Sequence, residues 1–159
     1  MIIRSNLLRV SMVAAVLLVA AQISACATKP PPPTSIAAKM IAESDANKGA
    51  SGRPLPIVVR IYELKSTGSF EAADFFALYN QDREILGADL LAREEVNLQP
   101  GHWQEINRPT DPAANYLGAI GAFREIDGAN WRAVHRLRPN EENSVELKVT
   151  ADAIWFSAR

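Results

Sequence analysis

The sequence predicts a mainly β protein: an antiparallel β-sandwich carrying a short helical insertion. Three observations predict it. Short segments that alternate apolar and polar residues recur between evenly spaced turn signals, the pattern of a sandwich. One segment, residues 57–64, is apolar on both faces, with Ile57, Val59 and Ile61 on one and Val58, Tyr62 and Leu64 beside Arg60 on the other. A single region, about residues 69–87, switches to helical spacing and reads as an insertion on the sandwich.

The N-terminal segment reads as a targeting signal. Arg4 and Arg9 precede an apolar run over residues 10–21, and Ile23-Ser24-Ala25 leads into Cys26, the one cysteine of the 159 residues. A cysteine directly after such a site resembles the lipobox of bacterial lipoproteins. The resemblance implies cleavage after residue 25 and acylation of Cys26, so that residues 1–25 are a signal peptide. A membrane-spanning helix needs about 20 apolar residues, and Gln22 and Ser24 break this run too early. Arg4 and Arg9 are not adjacent, which excludes a twin-arginine signal. Ala27 follows the cysteine where an aspartate holds lipoproteins in the inner membrane of well-studied bacteria, and implies export to the outer membrane.

Residues 26–159 suffice for one domain. The leader carries two basic residues and no acidic one, so its removal takes the net charge from −1 to −3. That balance points to neither nucleic acid nor an anionic lipid surface. With Cys26 acylated, no cysteine is left for a disulfide, and stability falls to core packing.

Residues 26–34 are the lipidated cysteine and a tether. Pro30-Pro31-Pro32-Pro33 favours an extended polyproline rod, and residues 27–34 span ~25 Å at about 3.1 Å per residue. The domain follows, over residues 35–159. Ile36, Ala38, Met40 and Ala42 alternate as a first strand. Residues 43–56 turn polar and glycine-containing and read as a long exposed loop, either functional or a disordered connection. After the strand at 57–64, Ser69 is placed as a helix N-cap, with Phe70, Phe75, Phe76, Leu78 and Tyr79 as the apolar face. Asp82 is placed to cap a second short helix closed near Gly87.

Strands then resume. Leu90, Ala92, Val96 and Leu98 alternate, Pro100-Gly101 turns, and residues 103–107 return before a loop at 107–112. Residues 115–123 are apolar on both faces, a central strand in which Gly118 and Gly121 imply close backbone packing. Residues 131–137, then Val145, Leu147 and Val149, then Ile154 and Phe156 supply the last strands. Trp103, Trp131 and Trp155 are expected in the core. Arg132, Arg136 and Arg138 are expected as exposed charge on a sheet edge.

No catalytic constellation is present, so the chain is not read as an enzyme. His102 and His135 lack metal-ligand spacing, and neither a nucleophile turn nor a phosphate-cradling glycine motif occurs. Glu94 and Glu95 are adjacent and point to opposite faces of a strand. No cofactor and no metal are expected.

One series of residues is similar to a known family. Gly52-Arg53-Pro54-Leu55-Pro56 runs into Ile57-Val58-Val59-Arg60-Ile61-Tyr62-Glu63-Leu64-Lys65, followed by Ala73-Asp74-Phe75-Phe76, Leu86-Gly87-Ala88-Asp89-Leu90-Leu91, Leu98-Gln99-Pro100-Gly101, Ala122-Phe123-Arg124 and Trp131-Arg132. It resembles the TssJ family, the outer-membrane lipoproteins of type VI secretion systems. The resemblance implies a transthyretin-like β-sandwich without enzymatic activity, lipid-anchored on the periplasmic face of the outer membrane. It implies binding to the periplasmic C-terminal part of TssM, an inner-membrane protein, with TssL a further member of the complex. It places the contact on the loop between the first two strands: Asp45, Ala46, Asn47, Lys48, Gly49, Ala50 and Ser51. Asn47 and Lys48 are the strongest candidates, as side chains able to hydrogen-bond from an exposed turn. The alternatives are a subunit or pilotin of another envelope assembly, and a periplasmic ligand-binding lipoprotein.

Overall fold

Alternation at period two sends one set of side chains from each strand inward, and in this chain two such sets meet. The computed structural model describes residues 29–158. Cys26, the expected acylation site, the expected signal peptide before it and Ala27 lie outside the described residues. Residues 29–33 are exposed and belong to no strand. Eight strands follow: β1 (Ser35–Ala42), β2 (Ile57–Leu64), β3 (Leu90–Leu98), β4 (Trp103–Pro109), β5 (Tyr116–Gly121), β6 (Arg132–Arg136), β7 (Glu142–Val149) and β8 (Ile154–Ala158). They form two four-stranded sheets, ordered β4-β1-β7-β8 and β3-β2-β5-β6. Pairing is antiparallel throughout these sheets except between β1 and β7, which run parallel.

Ile36, Ala38, Met40, Val145, Leu147 and Val149 from one sheet meet Ile57, Val59, Ile61, Leu117 and Ala119 from the other in the sandwich interior. The second face of β2 is also covered. Tyr62 and Leu64 pack with Ile120 against Phe70, Phe75, Leu78 and Leu86 of two helices, α1 (Gly68–Ala72) and α2 (Phe75–Leu86). The molecule thus has three layers, which is why β2 carries no solvated face. Helix α1 approaches β5 so closely that a Cβ on Gly118 would lie 2.9 Å from Phe70 Cζ.

Several local expectations are corrected. Ser69 is not the cap of α1. It lies inside the helix, and Thr67 stands at the cap position, its hydroxyl donating to the Glu71 carboxylate at 3.0 Å rather than capping a backbone N–H. The helical stretch breaks after Ala72, and Asp74 caps α2 by accepting from the Ala77 N–H at 2.9 Å. Asp82 does follow a kink at Gln81 and accepts from the Arg83 N–H at 2.8 Å. Its other oxygen, buried, takes the Arg93 guanidinium at 2.7 Å, with Arg60 at 3.6 Å and the Tyr62 hydroxyl at 3.5 Å. Burial, reinforced by the Asp82 charge, pushes the Tyr62 hydroxyl up to about 12. Strand β4 runs on to Pro109, where a loop is expected from 107.

Of the three tryptophans only Trp131 packs against both apolar clusters. Trp103 is 56% exposed and Trp155 40%. Arg132 is not free edge charge. Its guanidinium donates to the Phe70 and Ala73 carbonyls at 2.7 and 2.8 Å, adding to the Ala73 N–H bond on the Ser69 carbonyl that closes the C-terminal end of α1.

His135 on β6 lies beside Phe156, with ring centroids 5.8 Å apart. Burial first, and the Arg138 charge second, lower its imidazole pKa. An unfolded histidine titrates near 6.5, so the unfolded chain takes up this proton first as the pH falls. Its contribution is complete above about pH 6.5 and is lost as pH drops toward the folded value. The urea midpoint is expected to fall between pH 7.5 and pH 5 by less in His135→Gln than in the parent.

Candidate functional site

The loop joining β1 to β2 passes from one sheet to the other, and its backbone is tied down along its first half. Glu43 N–H donates to the Val149 carbonyl at 2.9 Å, Asn47 N–H to Thr150 at 2.9 Å and Lys48 N–H to Ala151 at 3.0 Å. Leu55 N–H returns to the Ala46 carbonyl at 3.1 Å, closing the base. Beyond it a tight turn is held by Gly52 N–H on the Gly49 carbonyl at 2.8 Å, with Gly52 at φ 72°.

Asn47 is the pin of this arrangement. It is 4% exposed, with φ 51°, a left-handed conformation that asparagine tolerates better than most residues. Its amide nitrogen donates to the Pro56 carbonyl at 2.7 Å, and its amide oxygen accepts from the Arg124 N–H at 2.7 Å. The side chain therefore joins three segments: both ends of the loop base and the chain after β5.

This corrects the expectation of an exposed Asn47. Ala46 is also buried, at 0% exposure. Asp45 and Gly49 are half-buried, while Lys48, Ala50 and Ser51 are exposed, as are Gly52, Arg53 and Pro54 just beyond them. Lys48 does offer its ammonium to solvent, sharing it with Asp45 at 3.3 Å. The surface able to touch a partner is thus the tip from 48 to 54. Arg124, exposed, lies beside it: a Cβ on Gly49 would be 3.8 Å from Arg124 Cγ. Arg53 lies in the 44–53 region that the resemblance implies but is not among the residues singled out there, and Arg124 was missed as a candidate. A lone arginine in a Gly-Ser-Pro turn is a weak local signal, and Arg124 comes near only through the fold.

The opposite end of β1 is fixed as firmly. Thr110 N–H donates to the Thr34 carbonyl at 3.0 Å, and Asn140 N–H to Thr34 Oγ1 at 2.9 Å. Buried Asn143 donates to the Ser35 carbonyl at 3.2 Å. Thr34 and the loop therefore bracket one strand that is hydrogen-bonded on both sides, to β4 and β7.

Among the described residues no group of three or more His, Cys, Asp or Glu is placed to hold a metal. A groove of about 410 Å³ is lined by Arg83, Gly87, Leu90, Leu91, Ala92 and Arg93, a set with neither nucleophile nor acid–base pair. Glu94 and Glu95 do point apart, the first to Arg108 at 3.5 Å and the second to Arg60 at 2.6 Å. No helix among the described residues is long and apolar enough to cross a membrane.

Comparison with known proteins places this architecture. The model of the type VI secretion lipoprotein family that takes in VasD, EvfM and TssJ matches residues 34–152. No curated protein matches the chain. Among solved structures, the chain is similar to the T6SS lipoprotein TssJ1 from Pseudomonas aeruginosa, with 34% identity and a TM-score of 0.78 over 80% of this chain and 98% of that one. It is similar to Serratia marcescens Lip, a membrane-bound component of the type VI secretion system, with 25% identity and a TM-score of 0.72 over 80% and 98%. A third match, with 34% identity and a TM-score of 0.67 over 77% of this chain and 99% of that one, is a chain in the structure of the T6SS protein TssM C-terminal domain (869–1107) from EAEC. The family match over residues 34–152, on a two-sheet sandwich shared with these lipoproteins, gives the conclusion: the chain belongs to the TssJ family of type VI secretion lipoproteins.

Proposed function

We propose that this lipoprotein anchors the trans-envelope complex of a type VI secretion system to the outer membrane, by holding the periplasmic C-terminal part of TssM at the tip of the 43–56 loop. The observation that carries this reading is the placement of tether and loop at opposite ends of β1. Load entering at Thr34 and leaving at Glu43 runs along one strand, and the ladders to β4 and β7 share it in shear. The third structural match supports the choice of partner. A chain covered to 99% by part of a 159-residue protein is far shorter than the TssM span 869–1107, so the likeness is to a companion of that domain. TssL would belong to the same complex.

The protein acts by binding, not by catalysis. Acylation of Cys26 with two or more chains makes the attachment stable, and Ala27 directs it outward. The proline tether sets the stand-off, and confinement at the membrane raises the effective concentration for the partner.

Cys26→Ser tests the reading. The unlipidated variant is expected to keep a folded domain with affinity for the TssM segment while secretion is lost. Normal secretion by a variant verified as unlipidated would remove the anchoring role.

A further inference from the structure

We propose that the open face of the β4-β1-β7-β8 sheet carries a second contact for the same partner: a strip made of Trp103, Ile41, Lys148 and Trp155. This rests on the reading that the loop end of the domain meets the periplasmic part of TssM.

The strand registers assemble the strip. Trp103 pairs with Ile41, Ile41 with Lys148, and Lys148 with Trp155, one residue from each of the four strands. Their neighbours in sequence, Met40, Leu147 and Ile154, are buried in the sandwich, so these four face outward. Trp103 and Trp155 are two of the three large hydrophobic side chains exposed among the described residues, the other being Phe76 on α2. Lys39 places its ammonium over the Trp103 ring, 4.7 Å from its centroid, and the residue stays 56% exposed. The next row, Glu105, Lys39, Glu146 and Ser157, is charged and polar and bounds the strip on one side.

On its other side the strip meets the loop framework. Gly101 N–H donates to the Ala42 and Glu43 carbonyls at 2.9 and 3.2 Å, and Ala42 N–H to the His102 carbonyl at 3.0 Å. The β7–β8 turn receives the Asn47 and Lys48 amides at Thr150 and Ala151. The turns that lead into Trp103 on β4 and Trp155 on β8 are thus the same turns that hold the loop, and a protein seated on the tip can continue onto the strip.

Location argues for this occupant over lipid. Ile41 is six residues along β1 from Ser35, where the tether joins, or about 20 Å at ~3.3 Å per residue. An indole pair meant for the bilayer surface belongs at the tether end. The chemistry specifies the partner's surface: apolar or aromatic opposite the two indoles, with a carboxylate for Lys148, whose pair with Glu146 is long at 3.8 Å. Exposed tryptophans that become buried on binding are the residue type that most often dominates an interface.

The test uses the lipidated protein in detergent and the TssM periplasmic C-terminal segment, with affinity and thermal unfolding read together. Trp103→Ala combined with Trp155→Ala is expected to weaken binding about tenfold or more, chiefly through faster dissociation, with the unfolding temperature unchanged. Lys148→Glu is expected to weaken it further, by a margin that shrinks at high salt. Unchanged affinity in the tryptophan double variant, alongside weakened affinity in Lys48→Ala with Arg53→Ala, would overturn the strip and leave the loop reading standing. Absence of any affinity in the parent protein would overturn both. Tryptophan-dependent binding to phosphatidylethanolamine–phosphatidylglycerol vesicles, or tryptophan-dependent dimerisation, would assign the strip to lipid or to a second copy and overturn the proposal.

Discussion

Arg108→Ala is expected to destabilise the domain by about 3–5 kcal/mol, measured as the loss in unfolding free energy by urea titration. Glu63 lies on the interior face of β2, in step with Ile57, Val59 and Ile61, and is 1% exposed. Its carboxylate accepts from the Arg108 guanidinium, which reaches in from β4 of the other sheet, and from the Asp111 N–H at 2.7 Å. Removing Arg108 leaves a buried carboxylate with one amide for company, and the cost is that of an uncompensated buried charge. Glu63→Gln is expected to cost less. The amide oxygen still accepts from Asp111, and Arg108, at 34% side-chain exposure, can keep Glu94 and solvent. The ordering, Arg108→Ala well below Glu63→Gln in stability, is the discriminating result. Equal and small losses would mean that water reaches Glu63. The pair stands at the tether end of the sandwich, where Arg108 pairs with Ile36 of β1. It fastens the two sheets together where, on the proposed reading, load from the membrane would enter, in a chain whose one cysteine precedes the domain.

Particular residues show why the sandwich could be read from sequence while its cross-links could not. The alternation in β1 and the double-faced β2 report burial directly, because side-chain direction in a strand depends only on position parity. Parity is the same in parallel and antiparallel ladders, so the parallel β1–β7 pair left no mark. Glu63 occupies an inward position that composition alone assigns to the surface, and its partner is 45 residues away. Asp82 was legible as a helix-start residue, but its guanidinium partners come from β2 and β3. Trp103 and Trp155 resembled core residues because a sandwich needs bulk. Both point to the open face of the β4-β1-β7-β8 sheet, on its two edge strands, a placement that the pairing register reveals. The loop was placed correctly by its turn residues, whereas its rigidity depends on Thr150, Ala151 and Arg124, brought near by the fold.

Asn47 gives the second large effect, on binding more than on stability. Asn47→Ala removes the bonds to the Pro56 carbonyl and the Arg124 N–H, each worth about 1 kcal/mol. It also puts alanine at φ 51°, at a cost of about 1–2 kcal/mol. Asn47→Gly removes the same bonds without that conformational cost, so the difference between the two variants isolates the backbone contribution. Both lie in a connection between strands, and the expected response is local opening of the 43–56 loop with the two sheets intact. Exchange of the Asn47, Lys48 and Leu55 amides, now bonded to Thr150, Ala151 and Ala46, should accelerate while the β2 and β5 amides stay protected. A loop that must be ordered on binding loses affinity by the cost of ordering it. Affinity for the TssM segment is therefore expected to fall about 10-fold or more in Asn47→Ala and less in Asn47→Gly, although Asn47 itself, at 4% exposure, has almost no surface to offer a partner. Weakened binding with unchanged amide exchange would make Asn47 a contact residue after all. Faster exchange with full affinity would mean that the loop needs no prior order to be recognised.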